Sequence, residues 1–226
     1  MNDLSKKGLV ELIGTFLLTF IGGAAIINGQ AGLIGVALAH GLTVAIVISA
    51  LGHISGGHIN PAVTIGFLVT RKIDLKEGGI YILSQLVGAV LAAFALKQFV
   101  PGAMNASLGG QSVAPSVDLG AAIGIEFLLT FFLVTAIFGT AVDERGTFQS
   151  IAGFGIGLVV TVDILAGGPL TGASMNPARS FGPALISGHW DNHLVYWIGP
   201  LLGGTIAALI YDTFIMNKAG KKGYSE

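Results

Sequence analysis

Long apolar runs are the feature that most limits how this chain can fold. The sequence contains six such runs, each close to the ~20 helical residues needed to cross about 30 Å of hydrocarbon. Few charged residues interrupt them. We therefore predict transmembrane helices over residues 8–27, 32–52, 78–99, 119–142, 150–168 and 194–216.

The composition agrees with a chain that lies mostly in lipid. Only 10% of the residues are charged, against about a quarter in soluble proteins. The net charge of −1 provides no basic field for nucleic acid, and the absence of cysteine excludes disulfides and thiolate metal sites. The 35 glycines suggest closely packed membrane helices. Pairs of small residues four apart predict such packing at Gly120/Gly124, Gly153/Gly157 and Gly199/Gly203.

Two further apolar stretches, residues 60–70 and 176–187, are too short to cross a bilayer. At 1.5 Å per residue each reaches roughly 16 Å, which is half of the hydrocarbon thickness. Each stretch begins with Asn-Pro-Ala, in which Asn favours the helix N-cap and Pro favours the first helical position. We therefore predict two reentrant half-helices. They begin at Asn60-Pro61-Ala62 and Asn176-Pro177-Ala178.

The two halves of the chain repeat each other. The triplets lie 116 residues apart, and an E-x-x-x-T pattern at Glu11 returns 115 residues later at Glu126. Each half contains three full crossings, so the second half must enter from the opposite face and the repeats are inverted. The half-helices then meet tip to tip at the midplane. The prediction is a single transmembrane domain over residues 1–226, with repeats at approximately 8–99 and 119–216.

The basic residues predict the orientation. Nine of the eleven Lys and Arg residues fall in the segments on the same side as the termini, which the positive-inside rule places in the cytoplasm. Lys97 can extend to the interface from the end of the third span. Arg179 lies within the second half-span and is costly there unless it faces a polar cavity. The nine are Lys6, Lys7, Arg71, Lys72, Lys76, Arg145, Lys218, Lys221 and Lys222.

The capping chemistry predicts what can pass the midplane. An Asn cap accepts a backbone N–H with its side-chain oxygen, which leaves its NH₂ group to donate. A water molecule between two such caps would accept from both, and this interrupts a continuous chain of donated protons. Each half-helix N-terminus also carries about half a positive charge, which repels cations. The sequence therefore predicts a pore for small neutral molecules.

Together, the twin triplets, the inverted repeats and the paired E-x-x-x-T patterns resemble the aquaporin and glycerol-facilitator family, the major intrinsic proteins. The resemblance covers nearly the whole chain. It implies an all-α membrane protein with six transmembrane helices and two reentrant half-helices, assembled in the bilayer as a homotetramer with one pore per subunit. It also implies that Glu11 and Glu126 are buried acids bonded to the reentrant loops. A passive water channel without cofactor, metal or enzymatic activity is expected.

The same resemblance implies a selectivity filter of four residues. Its arginine follows the second Asn by three positions and is Arg179, and its other members fall at His40, Ile164 and Ala173. Histidine on the second span with Ile on the fifth is similar to the tonoplast intrinsic proteins of plants. Such channels pass water and often ammonia, urea or hydrogen peroxide. Some ammonia-passing members add a histidine after the third span, but residues 100–118 contain none.

Other functions are less favoured. Glycerol facilitators tend to carry Asp after the filter arginine and a basic residue four positions further, where this chain has Ser180 and Ala184. A glycerol or polyol facilitator is therefore the alternative. A coupled secondary transporter would need acidic ion ligands at the midplane, and the half-helix tips offer none. An enzyme is not predicted, because the spans contain no nucleophile–base pair or metal cluster.

The sequence allows more than one role for each of two polar residues, His58 and Asp163. His58 either lines the cytoplasmic half of the pore or hydrogen-bonds the loop backbone. For Asp163, next to Ile164, hydrogen bonding to neighbouring helices is favoured over a role in the outer vestibule. The short termini favour a cell membrane, plasma or inner, as the location.

Overall fold

The computed structural model describes residues 3–145 and 151–216, and the regular elements in these ranges are all helical. Six stretches are long and apolar enough to cross a membrane, whereas α3 and α7 have only 9 and 11 residues. This confirms the predicted fold class. The helices are α1 (Asp3–Asn28), α2 (Gly32–Ser55), α3 (Pro61–Val69), α4 (Leu75–Phe99), α5 (Leu119–Ile137), α6 (Ala152–Thr171), α7 (Pro177–Ser187) and α8 (Val195–Ile210).

Three shorter helical segments are also present among the described residues. α5 and α8 each continue into one π-helical turn, Phe138–Val142 and Tyr211–Ile215. The connection between α4 and α5 contains a short 3₁₀ segment, Ala103–Gly109.

Several helices extend beyond the predicted apolar runs at their polar ends. α1 begins at Asp3 rather than at residue 8, because Lys7 pairs with Glu77 of α4 at 3.0 Å and with Asp3 at 3.6 Å. α4 begins at Leu75 because Asp74 caps it by accepting from the Glu77 N–H at 2.8 Å. The apolar runs therefore locate the hydrocarbon region, whereas caps and ion pairs set the helix ends.

The two halves pack in the same way. α1 packs on α4 as α5 packs on α8, and α2 packs on α6 to join the halves. Each half-helix contacts the last long helix of the other half, so that α3 packs on α8 and α7 packs on α4. This is the arrangement expected of inverted repeats, although the exact bounds of the repeats stay a prediction.

Glycines allow the closest of these helix contacts. A Cβ atom added to Gly157 of α6 would collide with the carbonyl oxygen of Gly41 in α2, and one added to Gly203 of α8 would collide with the carbonyl of Phe127 in α5. The pairs Gly153/Gly157 and Gly199/Gly203 thus pack closely, as predicted. Gly124 differs, because a Cβ there would meet nothing within 4 Å. The pair Gly120/Gly124 therefore lies on a face that the described chain leaves open.

Candidate functional site

Both half-helices begin at their Asn-Pro-Ala triplets. The Oδ1 atom of Asn60 accepts from the Ala62 N–H at 2.8 Å, and Pro61 takes the first helical position of α3. Asn176 caps α7 in the same way and accepts from the N–H groups of Ala178 and Arg179 at 3.1 and 3.2 Å. Each cap thereby satisfies one or two backbone donors of the first turn inside the membrane.

The two tips are also bonded to each other. Asn60 Nδ2 donates to the carbonyl of Met175 at 2.8 Å, and Asn176 Nδ2 donates to the carbonyl of Ile59 at 2.9 Å. Ile59 and Met175 adopt left-handed backbone conformations with φ of 45° and 54°, which non-glycine residues rarely accept. The sequence-based expectation of two entirely free NH₂ groups is therefore corrected. One hydrogen of each group joins the halves and one remains for the pore.

Glu11 supports the loop that leads into the first half-helix. Its side chain is fully buried and accepts from Ser55 Oγ at 2.7 Å and from the backbone N–H groups of His58 and Ile59. Gln85 of α4 donates to the same carboxylate at 2.7 Å. A loop with unsatisfied N–H groups could not be stable at this depth, so Glu11 supplies acceptors that water would supply outside the membrane.

Glu126 has the corresponding place in the second half. It is fully buried and accepts from Thr171 Oγ1 at 2.7 Å, from the Ser174 N–H at 2.9 Å and from the Met175 N–H at 2.8 Å. The matching partners on both sides of the midplane show that the carboxylates do the same structural work in each half.

A pair of tyrosines completes the two loops and was missed in the sequence. Tyr81 Oη donates to the carbonyl of Ser55 at 2.6 Å, and Tyr196 Oη donates to the carbonyl of Thr171 at 2.9 Å. The tyrosines lie 115 residues apart, the same offset that relates Glu11 to Glu126. A complete comparison of the halves at this offset would have found them.

His58 lies next to Asn60-Pro61-Ala62, and its hydrogen bonds define its tautomer. Thr64 Oγ1 donates its single hydrogen to the carbonyl of Asn60 at 3.0 Å and accepts from Gln85 at 3.0 Å. The contact of 3.2 Å between His58 Nδ1 and Thr64 Oγ1 therefore has the histidine as donor. Its Nε2 atom is left as an acceptor, and His58 lines the central cavity.

A cavity with a volume of about 40 Å³ lies at both half-helix tips. All four predicted filter residues line it, together with both capping Asn residues. The rest of its wall is mainly aliphatic, which holds a passing molecule only weakly. The aliphatic side chains include Leu18, Val44, Ile48, Val63, Leu133, Ile137, Ile156 and Val160.

The predicted filter residues form a polar side and an apolar side. Arg179 Nη2 donates to His40 Nε2 at 3.2 Å. Because a guanidinium can only donate, His40 Nε2 carries no hydrogen and the imidazole is neutral. Its hydrogen is on Nδ1, which donates to the carbonyl of Val36 at 2.8 Å. Arg179 Nη1 has no hydrogen-bond partner in the described part of the chain. Ile164 and Ala173 line the same cavity with aliphatic side chains. This arrangement can donate hydrogen bonds to a neutral molecule and repel a cation.

Gln111 also belongs to the site and had no signal in the sequence. It comes from the connection between α4 and α5 and accepts from Ser180 Oγ at 2.9 Å. Ser180 in turn contacts Ser174 Oγ at 2.5 Å, and Ser174 donates to the carbonyl of Asn176 at 3.0 Å. Gln111 thus supports the first turn of α7 as Gln85 supports that of α3. It occupies the loop in which no histidine was found.

Asp163 does not behave as the favoured interpretation predicted. It is 3% exposed, and its Oδ2 atom has no hydrogen-bond partner among the described residues. It is also absent from the cavity wall. The prediction that this carboxylate oxygen bonds a neighbouring helix is therefore wrong. In the same ranges, no three His, Cys, Asp or Glu side chains are grouped as metal ligands.

Six crossings, two opposed half-helices and a cavity past their tips define a channel-type integral membrane protein. The family model for the major intrinsic proteins matches residues 1–211, and the chain belongs to this family. Aquaporin TIP4-4 of Zea mays is 46% identical over 228 residues, covering 94% of this chain and 87% of that protein. A probable aquaporin TIP-type of Medicago truncatula is 43% identical over 226 residues, covering 95% and 89%.

A solved structure shows the same fold. The X-ray structure of the aquaglyceroporin from Plasmodium falciparum has a TM-score of 0.84 and 27% sequence identity, and the match covers 94% of this chain and 97% of that one. The family resemblance drawn from the triplets is thereby confirmed, including the likeness to the TIP-type branch.

The Glu126 contacts lead to a stability prediction. Glu126→Leu should leave the N–H groups of Ser174 and Met175 and the Thr171 hydroxyl without an acceptor, at about 1–3 kcal/mol each. Tyr196→Phe removes one hydrogen bond and should cost only about 1 kcal/mol. Thermal unfolding of the detergent-solubilised protein should show a much larger loss for Glu126→Leu. Equal losses for the two variants would contradict the supporting role of the carboxylate.

Proposed function

We propose that this protein is a passive transmembrane channel for water that excludes protons and ions. The observation that carries the proposal is the pair of Asn caps, each with one amide hydrogen unused, lining a single cavity at the opposed tips of α3 and α7. A water molecule there accepts from both caps, so it cannot pass a proton along a continuous chain. The two positive helix ends and Arg179 add an electrostatic barrier to cations. Relatives named as aquaporins support this function.

Two valines on α6 give a matched test of the pore. Val160 lines the cavity and is 7% exposed, whereas Val162 is 46% exposed on the outside of the same helix. Val160→Trp should fill the cavity and reduce osmotic shrinkage of proteoliposomes, measured by stopped-flow light scattering, to the rate of empty vesicles. Val162→Trp should keep the high rate of the unmodified protein. If the unmodified protein shrinks no faster than empty vesicles, the water-channel proposal fails.

We also propose that ammonia, urea and hydrogen peroxide pass with lower permeability. Arg179 and His40 are bonded to each other on the polar side, and Ile164 and Ala173 offer no large aromatic ring. Ile164 and Ala173 should therefore leave the filter wider than large aromatic side chains at the same positions would make it.

A substitution in the filter separates water from the other solutes. His40→Phe should preserve water flux and lower urea and ammonia flux, because the larger ring narrows the filter and offers Arg179 no acceptor. The same vesicles can be challenged with each solute in turn. Unchanged urea and ammonia flux would show that His40 is not part of the filter.

Glycerol or polyol facilitation is the second candidate, since the chain has the fold of an aquaglyceroporin. His40 and Ile164 provide little aromatic surface for a carbon backbone, so glycerol flux should be low in the same assay. Coupled transport is less favoured still, because none of the described residues that line the cavity is a carboxylate.

We propose that the protein assembles as a homotetramer with one pore in each subunit. The open face of α5 supports this assembly. Gly120 and Gly124 lie one turn apart there, and Leu128, one turn further, is 63% exposed. Small residues at this spacing allow a helix of another subunit to approach closely. No helix in the described part of the chain fills the space at Gly124.

Glycine substitutions test this assembly. Gly124→Leu should block the close approach of a neighbouring subunit and shift the protein toward monomers in native mass spectrometry. Gly79→Leu is the matched control, because Gly79 is an exposed glycine in α4 that also has nothing within 4 Å of its added Cβ. A tetramer that survives Gly124→Leu as well as it survives Gly79→Leu would contradict the proposed interface.

We propose, finally, that both termini face the cytoplasm. In the described chain, several basic residues of the predicted cytoplasmic segments take part in contacts at one end of the helices. Lys72 pairs with Asp212 at 3.0 Å, and Arg145 donates to the carbonyl of Ile215 at 2.8 Å. Lys218, Lys221 and Lys222 lie outside the described residues. Assignment to a cell membrane also stays a prediction, which subcellular fractionation would test.

A further inference from the structure

The loop between α7 and α8, on the predicted outer side, contains a histidine whose protonation state is fixed by its partner. Trp197 Nε1 donates to His193 Nε2 at 3.0 Å. An indole N–H can only donate, so His193 Nε2 must carry no hydrogen. This hydrogen bond, called here the outer-mouth contact, exists only while the imidazole is neutral.

His193 lies partly buried in a cluster of aromatic rings. Its ring is 4.7 Å from that of Trp190 and about 6.5 Å from those of Phe181 and Trp197, measured between centroids. Burial lowers the pKa of the His193 imidazole below its ordinary value. The folded protein therefore binds a proton at His193 less readily than the unfolded chain does. At any pH above the ordinary pKa of histidine, the imidazole is neutral and the outer-mouth contact is formed. It is lost as the pH falls through the lowered one.

Among the described residues no carboxylate forms an ion pair with His193, although Asp191 lines the same small cavity. The titratable groups of its own loop are His189 and Asp191, which face each other at 3.8 Å. α8 contributes Tyr196, whose hydroxyl donates to the carbonyl of Thr171. On α7, the residue that contacts the His193 ring is Phe181. The charged residue of α7, Arg179, is bonded to His40. Protonation would therefore place an unpaired cation among aromatic rings.

We propose that His193 is an acid-sensitive switch of the outer mouth. When Nε2 gains a proton it becomes a donor facing the donor of Trp197, and the outer-mouth contact breaks. The packing of His193 against Phe181 of α7 then loses the support of Trp197.

Two connections carry this change to the filter. Phe181, in contact with His193, lies two residues after Arg179 on α7. Tyr196 at the start of α8 holds Thr171, which is bonded to Glu126 and precedes Ala173 in the loop. Loosening of the loop removes support from both sides of the filter, so water permeability should fall severalfold on acidification. This last step rests on the proposed water channel.

The chain offers a direct probe of the switch. Trp190 and Trp197 are its two tryptophans, and both contact His193. Intrinsic tryptophan fluorescence therefore reports on this cluster alone. The readout needs no transport activity.

The experiment follows fluorescence and osmotic shrinkage of the same proteoliposomes, with both sides buffered from about pH 8 to about pH 4.5. We expect a fluorescence transition with a midpoint below ~6.5, the ordinary value for histidine, and a parallel fall in water flux. His193→Gln supplies a non-titrating acceptor for Trp197, so both transitions should disappear. His189→Gln, in the same loop but outside the outer-mouth contact, should keep both.

Three results would overturn the proposal. The switch is absent if fluorescence is flat across this range, or if His193→Gln shows the transition of the unmodified protein. If fluorescence changes while water flux stays constant, the contact breaks without acting on the mouth. A protein with no water flux at any pH would instead refute the proposed function, and its fluorescence transition would still decide whether the outer-mouth contact titrates.

Discussion

Backbone N–H groups outside helices have no water to bond in the middle of a membrane. The two loops that precede α3 and α7 meet this requirement with one carboxylate each. Glu11 accepts from the N–H groups of His58 and Ile59, and Glu126 accepts from those of Ser174 and Met175. With these donors satisfied, the loops can hold left-handed backbone and place two Asn caps at the midplane. The cavity and the proposed filter depend on this support.

The supporting framework is symmetric, but the wall of the cavity is not. At the offset of 116 residues that relates the triplets, Arg179 corresponds to Val63 and His40 corresponds to Ile156. All four line the cavity, yet only the outer half brings a guanidinium and an imidazole together. The repeat therefore builds the cavity from two matching halves, whereas the polar pair that we propose as part of the selectivity filter lies in only one of them.

Much of the fold could be predicted because lipid imposes simple requirements. Apolar length located the spans, and capping preferences located the half-helices to within a residue or two. The bonds from Asn60 and Asn176 to the opposite half could not be predicted, because their acceptors are backbone carbonyls that only the assembled halves bring near. Gln111 comes from a loop with no counterpart in the repeat, so no internal comparison could find it. For Asp163, burial was foreseeable from its span, but the lack of a partner was not.

The crossed contacts between halves also bear on how the chain is made. Asn60 needs the carbonyl of Met175, and α3 needs α8 to pack against. When the ribosome has delivered only the first half to the translocon, α3 has neither partner and its polar tip has no place in the bilayer. The long helices can insert one after another as they emerge. Because α3 packs on α8, the first half-helix can take its final place only after the last span has been synthesised, so the pore is completed late.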